Sequence, residues 1–287
     1  MFHSRNGFNL VSRAPNDKLA FGTNFHKALH SFYAGKRDNI DNVITAAMMG
    51  IEDPSMMRTM LTGYVSEVLP HDLETYQVLD IEQSFKIPLH EFIGVEVDDE
   101  LRLDANGEEI VVCGSIDMTA LDVAEGTIWG FEHKTCKSFR SNNISIMMDE
   151  QPRTYDIAMM RYVDKYNLDH GTNYKYGGII MNFVKKLKRD FQYSRVYCIY
   201  SDEDRAAFQS CMLGWANDIM NDTYCEVSTP TPGFMTCAMC DFTALCDHVG
   251  YRTPVLENLL EEFEEEVEVR KIDHLDEKEA EYGYGDE

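Results

Sequence analysis

Apolar positions along this chain change their period several times, and each change marks an element. From Asn24 to Ala34 (NFHKALHSFYA), Phe25, Leu29 and Phe32 recur at helical spacing and predict an amphipathic helix carrying His26 and His30. Helical patterning extends over residues 20–69. Between Tyr76 and Leu89 the pattern becomes β-branched and aromatic (VLDIEQSFKIPL), which predicts a strand holding Glu82. Two alternating runs, 110–123 and 127–135, meet through Ala124, Glu125 and Gly126 and predict a hairpin. Met147–Tyr166 reads as a long helix with Pro152 in its first turn, followed by strands at Tyr176–Val184 and Ser194–Tyr200. Ser201 is a natural N-cap for a helix reaching Met220, with Asp204 close behind it.

The core is therefore expected over residues 76–220. Beyond Tyr224 the chain is loop-like, with Pro230, Pro232 and Gly233, and leads into CAMCDFTALCDH. At 287 residues the chain accommodates one sizeable core, expected over 1–254, with 255–287 an acidic and largely disordered tail. Apolar residues at 44% and aromatics at 11% exclude a wholly disordered chain. No run approaches the roughly 18 consecutive apolar residues of a membrane helix, and the first residues lack the apolar centre of a secretory signal. The expectation is a cytoplasmic protein without a membrane partner.

The formal charge of −24 argues at first against a nucleic-acid partner. The acid is uneven, however: residues 257–287 hold fourteen Asp or Glu against three Lys or Arg. What remains is still acidic, so DNA binding would need a local basic groove and bound cations. Lys185, Lys186, Lys188 and Arg189 form the densest positive cluster, fit either to follow a DNA backbone or to solvate a loop. The acidic tail could mimic DNA, recruit a basic partner or keep the protein soluble, the last being the simplest reading.

Strand alternation puts Glu132 and Lys134 on one face, about 6–7 Å apart. If Glu125 and Gly126 form a two-residue turn, Thr119 lies opposite Glu132 and Asp117 opposite Lys134 on that face. Ile116, Met118, Trp129 and Phe131 would cover the other. Two carboxylates and an amine so disposed suit phosphodiester hydrolysis. The carboxylates hold a hard cation, while the lysine positions or deprotonates water or offsets charge on the phosphorane. An E-x-K by itself is far more often an ordinary surface pair.

The ordered set G-S-I-D, E-H-K-T and Q-P-R-T-Y resembles the RecB-like branch of the PD-(D/E)XK nucleases, which includes phage exonucleases and iron–sulfur CRISPR-associated adaptation nucleases. GTNFHKALHSFYAG resembles the helix with which that branch contributes a metal-binding histidine. The resemblance covers roughly residues 20–250. It implies an α/β restriction-endonuclease-like core, a central mixed β-sheet flanked by helices, with a cysteine-bound metal segment near the C-terminus (225–250). It implies that Asp117 and Glu132 bind Mg²⁺ or Mn²⁺ with His26 and the backbone carbonyl of His133, and that Lys134 is catalytic. Glu82 matches a supporting glutamate. Gln151 and Tyr155, four apart on one helix face, match residues that orient the lysine or the DNA; a capping Gln and a half-buried Tyr are the plainer alternative.

Cys237, Cys240 and Cys246 form C-x2-C-x5-C, a spacing that gathers thiolates around one metal, with free thiols as the alternative. The triple resembles the C-terminal cysteines of the iron–sulfur members, but no cysteine precedes Cys113 to match their upstream ligand. Cys225 or His248 could supply the fourth ligand, giving structural zinc or an unusual iron–sulfur cluster. Cys113, Cys136, Cys198 and Cys211 are expected as small core residues. The resemblance points to exonucleolytic processing of DNA ends in phage or prokaryotic replication, recombination or repair, in prokaryotic or phage-infected cytoplasm, with replication or recombination proteins as possible partners. Endonucleolytic or RNA cleavage on the same fold, or a non-catalytic DNA-binding scaffold, are the alternatives.

Overall fold

A computed structural model of the protein describes residues 10–12, 17–35, 39–94, 102–103, 107–139, 143–220 and 263–265. The chain divides into two units, residues 17–220 and a second made of 1–16 with 221–287. In the second, β1 (Leu10–Ser12) pairs antiparallel with β7 (Phe263–Glu265), a strand within the acidic segment. The cysteine segment lies outside the described residues.

The larger unit opens with four helices. These are α1 (Asp17–Tyr33), α2 (Ile40–Ala47), α3 (Pro54–Gly63) and α4 (Leu69–Thr75). Asp53 caps α3 by accepting the Met56 N–H at 3.3 Å, and Pro54 occupies the first helical position, where its missing N–H costs nothing. Between α3 and α4 the residues Tyr64–Val68 widen into a π-helical turn. The widening has a local cause in Pro70: it offers no N–H and its ring crowds the carbonyl four residues back.

Five strands follow in one sheet: β2 (Tyr76–Pro88), β3 (Val111–Asp122), β4 (Thr127–Cys136), β5 (Lys175–Lys185) and β6 (Tyr193–Cys198), in that spatial order. β4 and β5 are parallel and all other neighbours antiparallel. The parallel pair needs a crossover. Helix α7 (Glu150–His170) supplies it, preceded by the short α6 (Asn143–Met147). α5 (Leu89–Ile93) follows β2, and α8 (Asp202–Met220) closes the unit. Ser201 and Asp204 cap α8 reciprocally: the Asp204 N–H donates to Ser201 Oγ at 3.1 Å and the Ser201 N–H to Asp204 Oδ2 at 3.0 Å.

Both sheet faces are covered, which is why β5 reads as a nearly continuous apolar run. Ile180 and Val184 point into a core with Phe25, Leu29 and Phe32 of α1 and Met57 and Leu61 of α3. Ile179 and Met181 point into a second core with Tyr155, Met159 and Val163 of α7. The expected mixed sheet flanked by helices is thus present. A bulge between β4 and β5 falls at Gly177 and Gly178; Gly178 has φ +126°, and a Cβ there would stand 2.6 Å from the Cys198 carbonyl oxygen. Of the four cysteines expected in the core, Cys198 is buried and Cys136 partly so, but Cys113 and Cys211 are exposed. Alternation and helix phase turn those two outward.

Candidate active site

The hairpin is longer-looped than the expected two-residue turn. Its last pair is Asp122 with Thr127, leaving the four-residue loop Val123–Gly126. The Asp122 carboxylate accepts the N–H groups of Ala124 and Glu125, each at 3.1 Å, an Asx turn that residue spacing alone did not disclose. Thr119 therefore pairs with Gly130, and extending the register sets Asp117 across from Glu132 rather than Lys134. The change is by two residues, so facing is preserved through the paired residues Met118–Asp122.

Past Met118 and Phe131 the β3–β4 pairing stops, and Asp117 takes over where the strands part. Its Oδ2 accepts the His133 backbone N–H at 2.7 Å, a side chain standing in for a ladder bond. Ile116 packs in the core against α7 whereas Met118 packs in the core against α1, so the expected common face of Ile116 with Met118, Trp129 and Phe131 breaks at Asp117. On β2 the pairs on either side, Ile81 with Met118 and Gln83 with Ile116, put Glu82 across from this point. Glu82 has φ +55°, left-handed backbone in a non-glycine residue and the mark of a local kink. Across from it, Asp117 reaches the His26 ring with one oxygen and the His133 N–H with the other.

α1 brings its histidines to the same spot. His26 Nδ1 lies 3.1 Å from Asp117 Oδ1. One turn on, His30 Nδ1 lies 2.9 Å from Glu82 Oε1 and His30 Nε2 3.9 Å from Asp117 Oδ1. From the other side comes α7. Glu132, only 3% exposed, accepts on Oε1 from Lys134 Nζ at 2.6 Å and from Gln151 Nε2 at 2.9 Å. Gln151 Nε2 also lies 2.9 Å from Tyr155 Oη, to which it donates. Gln151 thus steadies the glutamate directly, where the resemblance implied the lysine or the DNA.

The two carboxylates are driven apart electrostatically. Burial pushes Glu132 up, the negative charge of Asp117 adds to that, and Lys134 only partly offsets them, leaving it at about 7. Burial acts on Asp117 in the same direction, but the His26 hydrogen bond and the His133 N–H outweigh it and hold the group at about 2. Two acids this close and this dry ionise together only when a further positive charge arrives. Glu132 Oε2 is buried without a hydrogen-bond partner among the described residues, an acceptor left open. The Asp117 carboxylate beside the α1 histidines, with an open buried carboxylate oxygen on Glu132, fits a divalent cation such as Mg²⁺ or Mn²⁺.

Beneath the site lies a network that sequence reading missed. The His133 ring is fully buried, stacks on Tyr33 at 5.8 Å and accepts from Asn182 Nδ2 at 2.9 Å on Nδ1. Asn182 also donates to Tyr64 Oη at 3.0 Å and accepts from Arg195 Nε at 3.2 Å. Arg195 forks onto Asp72 at 2.7 and 2.6 Å, and Tyr33 Oη donates to Asp72 at 2.5 Å. A polar Asn182 inside the apolar run IIMNFV was the one signal available. Of the basic cluster, Lys185 aligns with Cys136, one pair beyond Thr135, so it lies at the same end of the sheet as Lys134. Lys188 is held by Asp53 at 2.7 Å, and Lys186 sits over the Phe21 ring at 4.6 Å. Cys225, Cys237, Cys240, Cys246 and His248 lie outside the described residues.

The family model described as the PD-(D/E)XK nuclease superfamily matches residues 2–247. No curated protein matches the chain. Among solved structures the chain is similar to the one described as the crystal structure of SSO0001, at 12% identity, over 78% of this chain and 83% of that one, with a TM-score of 0.28. No helix among the described residues is long and apolar enough to cross a membrane.

Proposed function

Because the chain belongs to the PD-(D/E)XK nuclease superfamily, and is by that membership a metal-dependent nuclease, we propose that it is a deoxyribonuclease that works exonucleolytically on DNA ends. The setting proposed is phage or prokaryotic replication, recombination or repair. The observation that carries the site assignment is the convergence of Asp117, Glu132, Lys134 and His26 where β3 and β4 part, with Glu132 Oε2 buried and open. In this reading Asp117, Glu132, His26 and the His133 carbonyl hold Mg²⁺ or Mn²⁺. Bound there, the ion supplies polarisation of the phosphate and a more acidic water. Lys134, tethered by Glu132, presents its ammonium to the scissile phosphate, where it offsets charge and orients the attacking water. Gln151 and Tyr155 keep Glu132 from turning away, and Glu82 supports α1 through His30. A zinc or iron–sulfur site built from Cys237, Cys240, Cys246 and either Cys225 or His248 completes the proposal, with residues 1–254 as the nuclease domain.

The test is digestion of end-labelled linear DNA, circular DNA and RNA by the full chain with Mn²⁺ or Mg²⁺. Loss of linear DNA with circular DNA intact is expected. Cleavage of the circle makes it an endonuclease, RNA alone a ribonuclease, and tight DNA binding without hydrolysis a scaffold.

Lys185, Lys186, Lys188 and Arg189 are proposed to follow the DNA backbone. Changing all four to Ala is expected to weaken DNA binding. It should also flatten the salt dependence by roughly 0.9 in logarithmic slope for each phosphate that is no longer neutralised. The total change should stay near three, since Lys188 is already engaged by Asp53. Fluorescence anisotropy titrations across salt concentration measure it, and an unchanged slope removes these residues from the interface.

A further inference from the structure

α1 places His26 and His30 four residues apart and so on one helix face. His26 has a partner in Asp117, whereas His30 is arranged differently. Its Nδ1 lies 2.9 Å from Glu82 Oε1, which accepts the Nδ1–H hydrogen bond and leaves the lone pair on Nε2. That Nε2 is buried, has no hydrogen-bond partner among the described residues, and stands 3.9 Å from Asp117 Oδ1. A buried ring nitrogen with a free lone pair, aimed at a carboxylate oxygen and not bonded to it, is uncommon unless a third group joins them.

Carboxylate, imidazole and metal in line is the arrangement by which proteins fix a ligating histidine: the carboxylate takes the N–H of one ring nitrogen so that the other faces the ion. Glu82 and His30 reproduce its first two members. One ligand atom from each of His26, His30 and Asp117 falls within 4.8 Å of the others. The 3.1 Å from His26 Nδ1 to Asp117 Oδ1 matches neighbouring ligands on an octahedral ion, which are about 3.0 Å apart for bonds of about 2.1 Å. The 3.9 Å from His30 Nε2 falls between that spacing and the roughly 4.2 Å of opposite ligands. The left-handed backbone of Glu82 acquires a purpose in this scheme, since it delivers the carboxylate to His30 from across Asp117.

We propose that His30 is a second imidazole ligand of the nuclease metal site, oriented by Glu82, and that it tilts the site toward Mn²⁺ over Mg²⁺. The proposal rests on the reading of Asp117 and Glu132 as metal ligands. Imidazole suits the borderline transition ions, whereas Mg²⁺ prefers oxygen and keeps its waters. Adding a second nitrogen therefore strengthens Mn²⁺ binding more than Mg²⁺ binding.

The experiment is Mn²⁺ binding to the full chain without DNA, by calorimetry and by electron spin-echo modulation, which reports imidazole nitrogens bound to the ion. Two nitrogens are expected in the wild type and one in His30→Ala. Mn²⁺ affinity should fall about 10- to 100-fold and Mg²⁺ affinity by less than about threefold. Glu82→Ala removes an exposed side chain, so the core is undisturbed if His30→Ala folds poorly; it should weaken Mn²⁺ about 10-fold. Asp117→Ala is the reference arm. If it abolishes Mn²⁺ binding while His30→Ala and Glu82→Ala leave affinity and nitrogen signal unchanged, His30 is not a ligand. If Asp117→Ala also leaves binding intact, the underlying assignment of the metal site fails with it.

Discussion

Lys134→Ala is expected to lower DNA hydrolysis by roughly 10³-fold or more, at the strong end of what one positioned acid, base or charge contributes. Asp117→Asn should lower it at least as far, and the two should differ in what else they lose. The Lys134 side chain is about one-third exposed and its contact is with Glu132, so the alanine variant keeps its fold and still binds Mn²⁺. In Asp117→Asn the new amide oxygen can still accept the His133 N–H, so β3 and β4 hold their spacing. The variant turns an amide instead of a charged oxygen toward His26 and the ion, however, and Mn²⁺ binding goes with activity. Steady-state digestion together with Mn²⁺ titration reads this split. Lys134→Ala within about threefold of wild-type activity would end its catalytic assignment. Loss of Mn²⁺ binding in Lys134→Ala would recast it as a positioning residue for Glu132.

How much of this was open to sequence reading depended on range. That Glu132 and Lys134 share a strand face can be read from alternation, and the helix carrying His26 from its 3.6-residue period, because both signals are local; their singling-out as a site rested on the ordered motifs of the resemblance. The hairpin register was misjudged by two residues because the turn is closed by the Asp122 side chain, and because the error was even the facing survived through the paired residues Met118–Asp122. The break in alternation at Asp117 was not legible: it lies across from Glu82, 35 positions earlier, whose left-handed backbone nothing in EQSFKIPL announces. Gln151 and Tyr155 were placed together on one helix face, but the hydrogen bond from Gln151 to Glu132 was not legible, since which group it meets depends on how α7 crosses the sheet. The network below His133 was invisible for the same reason, as its contacts span 123, 118 and 49 residues.

That network carries the second large expectation, which concerns stability. Asp72, 1% exposed, receives both terminal nitrogens of Arg195 and the Tyr33 hydroxyl. Burial lowers the Arg195 guanidinium's preference for its proton, but the Asp72 hydrogen bonds and charge more than restore it, so the guanidinium stays charged. Asp72→Ala leaves a buried cation and a buried hydroxyl without their acceptor. The expected loss is about 3–5 kcal/mol, a large part of the roughly 5–15 kcal/mol that holds a domain folded. Denaturant unfolding of the full chain, followed by tryptophan fluorescence, should show the midpoint fall accordingly. The double variant Asp72→Leu with Arg195→Met tests the mechanism, because it removes both charges and restores apolar volume, and should recover much of the loss. A single Asp72→Ala that costs under about 1 kcal/mol would mean the pair is solvated in a way its burial contradicts. Because Asn182 joins Arg195 to the His133 ring, and the His133 N–H holds Asp117, Asp72→Ala molecules that remain folded should also show weaker Mn²⁺ binding. Stability and metal affinity are expected to fall together in that variant and to recover unequally in the double one, where packing returns but the grip of Arg195 on Asn182 does not.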